Sequence, residues 1–487
     1  MLSRYLLAVL NSRALILGAG ILISLTAIKP GAAQNAPAQV PESLNPSSNP
    51  LLFPTIPEEV RVQTLQPISL QQAIALAIRN NRDLQNAILT LERTQFALRE
   101  ALAANSPTLG VQSDLTRTYS NNPASGLGIG DGQNGGRSAG GSTTSLSGAL
   151  QLNYDLYTAG RRPAQIRAAE EQVRLNQLEV ESRAQQLLLD VSNAYYDLQQ
   201  ADAQVEIAEA SVRDAERSLR DAQLLEQAGL GTQFDVLRAQ VQLADANQEL
   251  TRSRSQQSIS RRRITQLLSL SQTVGVQAAD PIQPAGNWTT SLEQSIIFAY
   301  SNRAELQQQL ARRNISEQQQ QIAGSTERPQ VNVFANYNVQ ETFNDGFRPG
   351  TGLSLGARLR WDLYDGGAAR ARVRQEEINQ EIAENQFGDI RNQIRLQVEQ
   401  AFFNLSSNQQ NIQTASIALQ QAERSLELAR LRFNAGVGTQ TEVINAQTEL
   451  TRARVNRLRA IIDYNRELAG LRRATGTQPI PNLFNAR

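Results

Sequence analysis

The fold is decided by residues 160–229, which read GRRPAQIRAAEEQVRLNQLEVESRAQQLLLDVSNAYYDLQQADAQVEIAEASVRDAERSLRDAQLLEQAG. Apolar residues recur at every seventh position of this stretch, and no glycine interrupts it between its two ends. A repeat of seven predicts a helix that packs in a left-handed coiled coil, and at about 1.5 Å per residue this helix is roughly 100 Å long. The two apolar rows consist of Ile166, Val173, Val180, Leu187, Ala194, Ala201, Ala208, Ala215 and Ala222, and of Val191, Leu198, Val205, Val212 and Leu219.

A second stretch of the same design begins 207 residues later, since Gly367 matches Gly160. In both stretches large residues stand on one row and alanines on much of the other, so that neighbouring helices can approach closely. The recurrence predicts that the chain is an internal duplication. The rows of the second stretch consist of Val373, Phe387, Ile394, Ala401, Ala415, Ala422 and Ala429, and of Val398, Leu405, Ile412, Leu419, Leu426 and Phe433.

Each half of the chain opens with a shorter helix and then changes its apolar period from the helical value to two. Ser69 suits the N-cap of a helix that continues to about Ala104, and Pro107 ends it. Ser291 and Pro329 stand at the matching places, 222 residues later. Beyond each proline, alternating apolar and polar residues predict two strands of about ten residues. These predicted strands lie near 108–119, 146–156, 331–339 and 353–363.

One face of the predicted strands is apolar, with Tyr or Trp near the end, and the other face is polar. This pattern fits a membrane β-barrel with a wet interior, and also a soluble sandwich that buries its apolar face. The barrel is favoured by the predicted secretory signal at the amino terminus and by the lack of further strands in the pattern. It is also favoured by the length of the two heptad-repeat helices, hereafter called the rods. Four strands cannot close a barrel in lipid, so the chain must oligomerise. Two copies would give eight strands around a filled interior and three copies twelve strands around a channel, so conduction favours the trimer.

The amino terminus has the pattern of a secretory signal peptide. Arg4 and Arg13 precede an apolar run that ends at Ile28, and small residues follow near Ala33. We predict that residues 1–33 are removed on export. An uncleaved anchor helix is the alternative, although the run is short for a membrane span. Residues 34–68 are rich in Pro, Asn and Ser and show no period, which predicts a flexible leader.

The composition disfavours an enzyme. The 487 residues include no Cys and no His, so the commonest general base and metal ligand and all thiolate chemistry are absent. We therefore predict no catalytic residues, no cofactor and no metal site. Lys29 is the only lysine among 47 basic residues, and removal of residues 1–33 leaves the chain with about two more acidic than basic groups, which disfavours nucleic-acid binding.

Past each rod comes a short glycine-rich turn, followed by a new helix. The turns read AGLGTQFDV at 228–236 and AGVGTQTEV at 435–443. Glycine ends a helix in the left-handed conformation and threonine caps the next helix, so these turns predict the tips of two helical hairpins. The returning helices are predicted to reach Leu270 and about Ala474. The residues of the two tips are Gly229, Gly231, Thr232, Gly436, Gly438 and Thr439.

The remaining segments divide the chain into two repeats, at 69–272 and 291–476. Residues 120–144, mostly Gly, Ser and Asn without a period, predict a long loop between paired strands. Residues 273–290 contain Pro and Gly and predict a linker at the middle of the rods, and 477–487 form a short tail. In outer membrane barrels the long loops face outside and the periplasmic turns are short, so the helices belong on the periplasmic side.

From Ser69 to Gly476 the sequence resembles the TolC-like outer membrane efflux proteins. The matching features are the duplicated order helix, strand, strand, helix, helix, the junction Asp-Leu-Tyr-Asp-Gly-Gly that ends at Gly367, and the Gly-Val-Gly-Thr turn followed by residues 442–447. No single motif is highly specific, but their order, spacing and duplication together are. The resemblance implies a mostly α-helical homotrimer of a two-membrane, Gram-negative-type bacterium. Its twelve-stranded β-barrel would lie in outer-membrane lipid and its twelve-helix coiled-coil α-barrel would extend through the periplasm.

The resemblance also implies partners and a gate. In this family an inner-membrane transporter supplies the energy, and a periplasmic adaptor, or membrane fusion protein, docks on the hairpin tips. Two aspartates three residues apart usually narrow the periplasmic entrance just beyond the second turn. Here these positions are Glu442 and Asn445, and in the first repeat Asp235 and Arg238. Trimeric symmetry gathers acids at one end in a ring that favours cations, so the predicted gate residues are Asp235, Glu442 and Asn445.

Plainer explanations remain open for these residues. A carboxylate in the first turn of a helix is favoured by the helix dipole, which accounts for Asp235 and Glu442 without a gate. The tip glycines serve as turn residues whether or not an adaptor recognises them. For the whole chain, the main prediction is a passive exit duct of a tripartite efflux pump or a type I secretion system. The alternative is a periplasmic helical-hairpin adaptor or structural coiled coil that stays out of the membrane.

Overall fold

The computed structural model of the chain describes residue 51 and residues 53–120, 141–271, 273–343 and 350–478. The segments outside these ranges include the predicted signal peptide, residues 34–50 of the predicted leader, residues 121–140 of the predicted loop, and the tail beyond residue 478. Among the helices that the structure describes, none is both long enough and apolar enough to cross a membrane.

The described elements follow the same order in the two halves of the chain. Each half runs from one short strand through two short helices and two long strands to two long helices. In sequence the elements are β1 (Thr64–Ile68), α1 (Leu70–Asn80), α2 (Arg82–Ala103), β2 (Thr108–Ser120), β3 (Gly141–Tyr157), α3 (Arg161–Gln227), α4 (Gln233–Leu267), β4 (Val274–Ala278), α5 (Leu292–Asn302), α6 (Ala304–Gly324), β5 (Gln330–Thr342), β6 (Gly350–Arg360), α7 (Ala368–Asn434) and α8 (Gln440–Thr475).

The two rods predicted from the heptad pattern are confirmed as α3 and α7, which have 67 residues each. Gly160 and Gly367 precede them with φ of 88° and 89°, a left-handed conformation that glycine adopts without strain. α3 packs along α4 and α7 packs along α8. The predicted apolar rows lie in the interfaces that these helices form with each other and with neighbouring helices. Within these interfaces Leu198 and Val398 are fully buried. Burying a side chain of this size contributes about 1.5–3 kcal/mol, so packing along the seam holds the rods together.

The single helix predicted at the start of each half is broken in the structure, which corrects that prediction. Asn81 separates α1 from α2 with φ −64° and ψ 122°, and Arg303 separates α5 from α6 with φ −75° and ψ 117°. Asn81 accepts a hydrogen bond from Leu84 N at 3.0 Å and donates one to Leu267 O at 3.2 Å. Arg303 donates to Ala474 O at 3.4 Å. Each break thus brings a polar side chain to the end of the returning helix of its own half.

The four long strands form an antiparallel sheet in the order β2-β3-β5-β6. The pairing of β3 with β5 joins the two halves and sets Gln151 opposite Asn336. Because paired residues share a face, one face carries mainly Leu, Val and Tyr and the other mainly Asn, Gln and Ser. The strands have 13, 17, 13 and 11 residues, and the first three are longer than predicted. β6 nevertheless ends at Arg360, so Trp361, which was predicted inside the strand, lies beyond it.

A two-stranded parallel sheet of β1 and β4 was not predicted. Thr64 pairs with Val274, and Ile68 pairs with Ala278. Pro67 argues against a central strand, but a sheet of two strands has only edges, and an edge tolerates proline. Residues 64–68 of the predicted leader and 274–278 of the predicted linker are therefore strands, which corrects the lack of structure predicted for them.

Tyr195 anchors the linker beyond β4 on the middle of α3. Its hydroxyl oxygen lies 2.9 Å from Asp280 Oδ2 and 3.1 Å from Ile68 O, and it accepts a hydrogen bond from Asp280 N at 3.1 Å. Asp280 Oδ2 also accepts a hydrogen bond from Leu70 N at 2.7 Å. Burial raises the pKa of Tyr195, so its hydroxyl stays protonated and remains a donor. This cluster ties α1, β1 and the linker to the rod.

We expect Tyr195→Phe to lower the free energy of unfolding by about 1–3 kcal/mol, because buried polar groups around Asp280 lose a partner. Tyr196→Phe is the matched control, since the Tyr196 ring is also buried while its hydroxyl makes none of these bonds. Thermal unfolding in detergent, followed by far-ultraviolet circular dichroism, measures both variants. Equal losses of stability would contradict the role of the Tyr195 hydroxyl.

Candidate functional site at the helical hairpin tips

The two predicted hairpin tips have the same backbone structure. Gly229 follows α3 with φ 69° and Gly436 follows α7 with φ 72°, a conformation that strains any residue with a side chain. In the first tip, the N–H groups of Leu230 and Gly231 donate to Leu225 O at 2.9 and 3.0 Å. In the second tip, the two matching N–H groups donate to a single carbonyl of the last turn of α7, both at 3.0 Å. These bonds satisfy the terminal carbonyls of the rods and fix the turns.

The second glycine of each tip is required by a close approach. A Cβ added to Gly231 would lie 3.1 Å from both Glu226 N and Leu225 Cβ. A Cβ added to Gly438 would lie 2.9 Å from Phe433 N, so the backbone would have to move. Packing therefore explains the glycines, and their recognition by an adaptor stays a prediction.

Asp235 serves the start of its own helix. Thr232 Oγ1 accepts a hydrogen bond from Asp235 N at 3.2 Å, and Asp235 Oδ2 accepts hydrogen bonds from Thr232 N at 3.3 Å and Thr232 Oγ1 at 2.5 Å. This capping box uses the carboxylate to satisfy the amino end of α4. The plainer explanation of Asp235 thus has direct support in its contacts.

Glu442 is placed differently, although it occupies the same position in α8. Its backbone N–H donates to Thr439 Oγ1 at 3.2 Å, but its carboxylate turns to α7, where Oε2 lies 3.5 Å from Arg432 Nε. The two side chains are 45% and 59% exposed, so this ion pair is weak. Asn445, one turn further along α8, is also exposed. Glu442 and Asn445 therefore present polar groups at the surface of the tip.

The structure brings the two tips together. Arg238, in the first turns of α4, donates from Nη1 to Thr441 Oγ1 of α8 at 2.6 Å. Gln440 is buried and donates from Nε2 to Ser218 O of α3 at 3.3 Å. The predicted gate positions of the two repeats thus lie at the amino-terminal ends of two neighbouring helices, α4 and α8.

Two further contacts hold α7 and α8 against α3, and the sequence reasoning missed them. Arg430 Nη2 lies 2.7 Å from Asp214 Oδ1, and Gln447 Nε2 donates to Ser218 Oγ at 2.8 Å. Asp214 and Ser218 stand four residues apart and therefore on one face of α3, which is the only signal that the sequence offers. Recognising it requires knowing which face of α3 meets the second hairpin.

The tips also expose apolar side chains. The side chains of Leu230, Phe234 and Val437 are 80%, 68% and 69% exposed. Exposed apolar groups clustered beside polar ones are typical of a protein contact surface. Within the part of the chain that the structure describes, no group of three or more Asp and Glu side chains is placed to hold a metal ion.

The fold and the sequence were compared with known proteins. The outer membrane protein TolC of Vibrio cholerae is 24% identical over 351 residues, which cover 68% of this chain and 77% of TolC. Protein CyaE of Bordetella pertussis is 30% identical over 125 residues, and this match spans only 26% of either chain. Among solved structures, the outer membrane protein VceC of Vibrio cholerae has the same fold, with a TM-score of 0.69 and 20% identity over 84% of this chain and 96% of VceC.

A family model covers most of the sequence. It describes the outer membrane efflux proteins and matches residues 73–270 and 298–477, which include both rods and both hairpin tips. This match favours the predicted exit duct over the alternative of a periplasmic adaptor or structural coiled coil. The chain belongs to the outer membrane efflux protein family and is an outer membrane channel that extends into the periplasm.

Proposed function

We propose that three copies of the chain form a passive exit duct, with a twelve-stranded β-barrel in the outer membrane and a twelve-helix α-barrel in the periplasm. The observation that carries this proposal is a four-stranded sheet with open edges and one apolar face, continued by two hairpins of long helices. Each chain is an internal duplication of repeats at 69–272 and 291–476, joined by the linker at 273–290. The duct carries out no chemistry of its own and takes its energy from a partner.

The apolar face of the sheet supports its place in lipid. Leu109, Val111, Leu353 and Leu355 lie on this face and are 66%, 80%, 68% and 73% exposed in the single chain. The edge strands β2 and β6 have unpaired backbone groups, which lipid does not satisfy. Pairing β6 of one copy with β2 of the next closes the sheet. Twelve strands leave a lumen, whereas eight strands are filled by their own side chains.

An exposed apolar row on α7 supports contact with a second copy of the chain. It differs from the buried seam, and its members stand at multiples of seven residues. A row with this spacing packs against another helix in a coiled coil. Its members, 47–59% exposed, are Ile382, Leu396, Phe403, Ile417 and Leu431.

The hairpin tips are proposed to dock a periplasmic adaptor, through which an inner-membrane transporter delivers the substrate. This proposal is supported by the exposed apolar groups Leu230 and Val437 beside the tip residues. The chain belongs to the outer membrane efflux protein family, so the duct would serve a tripartite efflux pump or a type I secretion system. The proposed docking residues are Gly229, Gly231, Thr232, Gly436, Gly438 and Thr439.

Glu442 and Asn445 are proposed to line the periplasmic entrance, with Asp235 as a weaker candidate because its carboxylate is engaged by Thr232. Three copies of Glu442 would form an acidic ring that favours cations. The pair of Glu442 with Arg432 lies within one hairpin and moves with it, so only the charge of the ring acts on the entrance. Because the Glu442 side chain is 45% exposed, this charge would contribute at most about 1 kcal/mol.

Planar-bilayer conductance of the purified chain tests both the duct and the ring. We expect a small, cation-selective conductance that rises in Glu442→Ala by at most about fivefold, since a fivefold ratio corresponds to about 1 kcal/mol. Glu381→Ala is the matched control, because it removes an exposed carboxylate from α7 near the barrel rather than at the tip. Equal behaviour of Glu442→Ala and the unaltered chain would remove Glu442 from the gate. A folded oligomer without any conductance would contradict the duct itself.

A further inference from the structure

The polar face of the four-stranded sheet carries few charges, and they are unevenly placed. At the end next to the helices, the strand register aligns Asp155, Asn332 and Arg358 in one row. The next row contains Phe334 opposite Gly356. Further from the helices this face consists mainly of Asn, Gln, Ser, Thr and Gly. The row next to the helices therefore dominates the electrostatics of that end.

Two of the charges of this face, those of Asp155 and Arg360, are paired. Asp155 Oδ2 lies 3.4 Å from Arg161 Nη2, and Arg360 Nη2 lies 3.3 Å from Asp362 Oδ2. Among the described side chains, no carboxylate pairs with Arg358. Within the described strands, the ionisable groups of this face are Asp114, Asp155, Arg358 and Arg360.

Within one copy of the chain, Asp114 is too far away to neutralise Arg358. It lies in the same row as Gly350, whereas Arg358 is eight residues further along β6. At about 3.3 Å per residue, this separation is roughly 26 Å, more than two Debye lengths at physiological salt. Arg358 thus contributes an uncompensated positive charge to the polar face.

Phe334 holds this charge in a defined place. Arg358 Cζ lies 5.4 Å from the centroid of the Phe334 ring, in a cation–π contact. The ring extends across Gly356 of the neighbouring strand, where an added Cβ would lie only 2.7 Å from Phe334 Cζ. Gly356 therefore leaves the room that the ring occupies. Stacking uses the flat face of the guanidinium, so the N–H groups at its edge remain available as donors.

We propose that Arg358, stacked on Phe334, is a binding site for organic anions inside the duct. This inference rests on the proposed trimeric barrel, which turns the polar face inward and sets three copies of Arg358 at one level. The guanidinium edge suits a carboxylate or sulfonate, and the neighbouring ring suits a flat apolar group on the same molecule. The preferred solute is thus an aromatic anion. Its site lies at the barrel end of the duct, opposite the proposed acidic ring of Glu442.

The test combines ion selectivity and block in planar bilayers. Reversal potentials in a potassium chloride gradient are measured first, followed by block with naphthalene-1,5-disulfonate added on the barrel side. The variants are Arg358→Gln and Arg358→Lys. The matched control is Arg117→Gln, because Arg117 makes the same kind of stack, 5.1 Å from the Tyr119 ring centroid, but lies on the apolar face of the sheet.

Arg358→Gln is expected to shift the reversal potential towards potassium selectivity. It should also raise the half-blocking concentration of the disulfonate about tenfold or more, because hydrogen bonds to a charged group are lost. Arg358→Lys should keep the selectivity of the unaltered chain, and Arg117→Gln should change neither measurement. Conductance with the same selectivity and the same block in all variants would overturn the anion site and leave the duct intact. Absence of conductance from the unaltered chain would overturn the duct, and with it the site.

Discussion

Glu305→Gln is expected to lower the free energy of unfolding by about 3–5 kcal/mol, because it removes the carboxylate that contacts two buried guanidinium groups. Arg303 Nε lies 2.9 Å from Glu305 Oε2, and Arg303 Nη2 lies 3.0 Å from Glu305 Oε1. Arg473 Nη2 donates to the same Oε1. The side chains of Arg303 and Arg473 are only 7% and 9% exposed, so water does not replace the lost carboxylate.

The three side chains also connect helices that are distant in sequence. Arg303 forms the break between α5 and α6, Glu305 lies in α6, and Arg473 lies near the end of α8. Arg303 donates to Gln397 Oε1 of α7 at 3.0 Å, and Arg473 donates to Gln185 Oε1 of α3 at 3.2 Å. Loss of the central carboxylate therefore weakens the contacts between the two rods at mid-length.

The pH dependence of this contribution follows from the pKa of Glu305. Burial opposes the charged carboxylate, but the hydrogen bonds and charges of Arg303 and Arg473 outweigh it and lower the pKa of Glu305 from 4.5 to about 2. A carboxyl group with a lowered pKa in the folded state stabilises the fold fully above its unfolded pKa. This stabilisation is lost as the pH falls through the folded pKa. The difference between the unaltered chain and Glu305→Gln should therefore be constant near neutral pH and shrink from about pH 4.5 towards pH 2.

Thermal unfolding in detergent, followed by circular dichroism at several pH values, measures this difference. Glu179→Gln is the matched control, because Glu179 pairs with Arg183 at 2.8 Å but the two side chains are 43% and 54% exposed. An exposed pair contributes at most about 1 kcal/mol. A loss in Glu305→Gln no larger than that of the control, or one that does not change with pH, would contradict the argument.

The long elements follow from local sequence, whereas the breaks depend on distant contacts. The heptad rows predict α3 and α7 because a period of seven maintained over 67 residues is compatible only with a coiled-coil helix. The apolar period continues through Asn81 and Arg303, so neither break is visible in the pattern. Both breaks are stabilised by carbonyl groups near the end of a returning helix, those of Leu267 and Ala474. β1 could not be predicted for a similar reason, because its partner strand β4 lies about 210 residues away in the sequence.

The hairpin tips, too, could be predicted only where their structure follows from local sequence. The glycine turns and threonine caps are local signals, and the structure contains them at Gly229, Thr232, Gly436 and Thr439. Sequence alone treats the first-turn acids of the two tips alike, but their contacts differ because only the second tip places an arginine, Arg432, within reach. The side-chain contacts between the two hairpins were not predicted, because they depend on how α3 and α8 pack against each other.

The pair of Asp214 and Arg430 is expected to control the entrance of the proposed duct more strongly than Glu442 does. The α7–α8 hairpin, which carries Glu442, is held against α3 by this pair at 2.7 Å, with 25% and 32% of the side chains exposed. Asp214→Asn removes a charge-assisted hydrogen bond worth about 1.5–3 kcal/mol. Since 1.4 kcal/mol corresponds to a factor of ten, the ratio of open to closed entrances should rise about tenfold or more. The hairpin would then swing away from α3 more often, and the mean conductance would increase.

Single-channel recordings distinguish the effect of this salt bridge between the hairpins from a general effect of charge. Glu209→Gln is the matched control, because Glu209 pairs with Arg254 at 3.0 Å inside the α3–α4 hairpin and does not connect the two hairpins. It removes the same charge from the same rod and should leave the conductance unchanged. Combining Asp214→Arg with Arg430→Asp restores an attractive pair, so this double variant should close the entrance again. If Asp214→Asn and Glu209→Gln raise the conductance equally, the charge of the duct rather than the tie between hairpins sets the entrance. If the double variant stays open, the two side chains do not act as a pair.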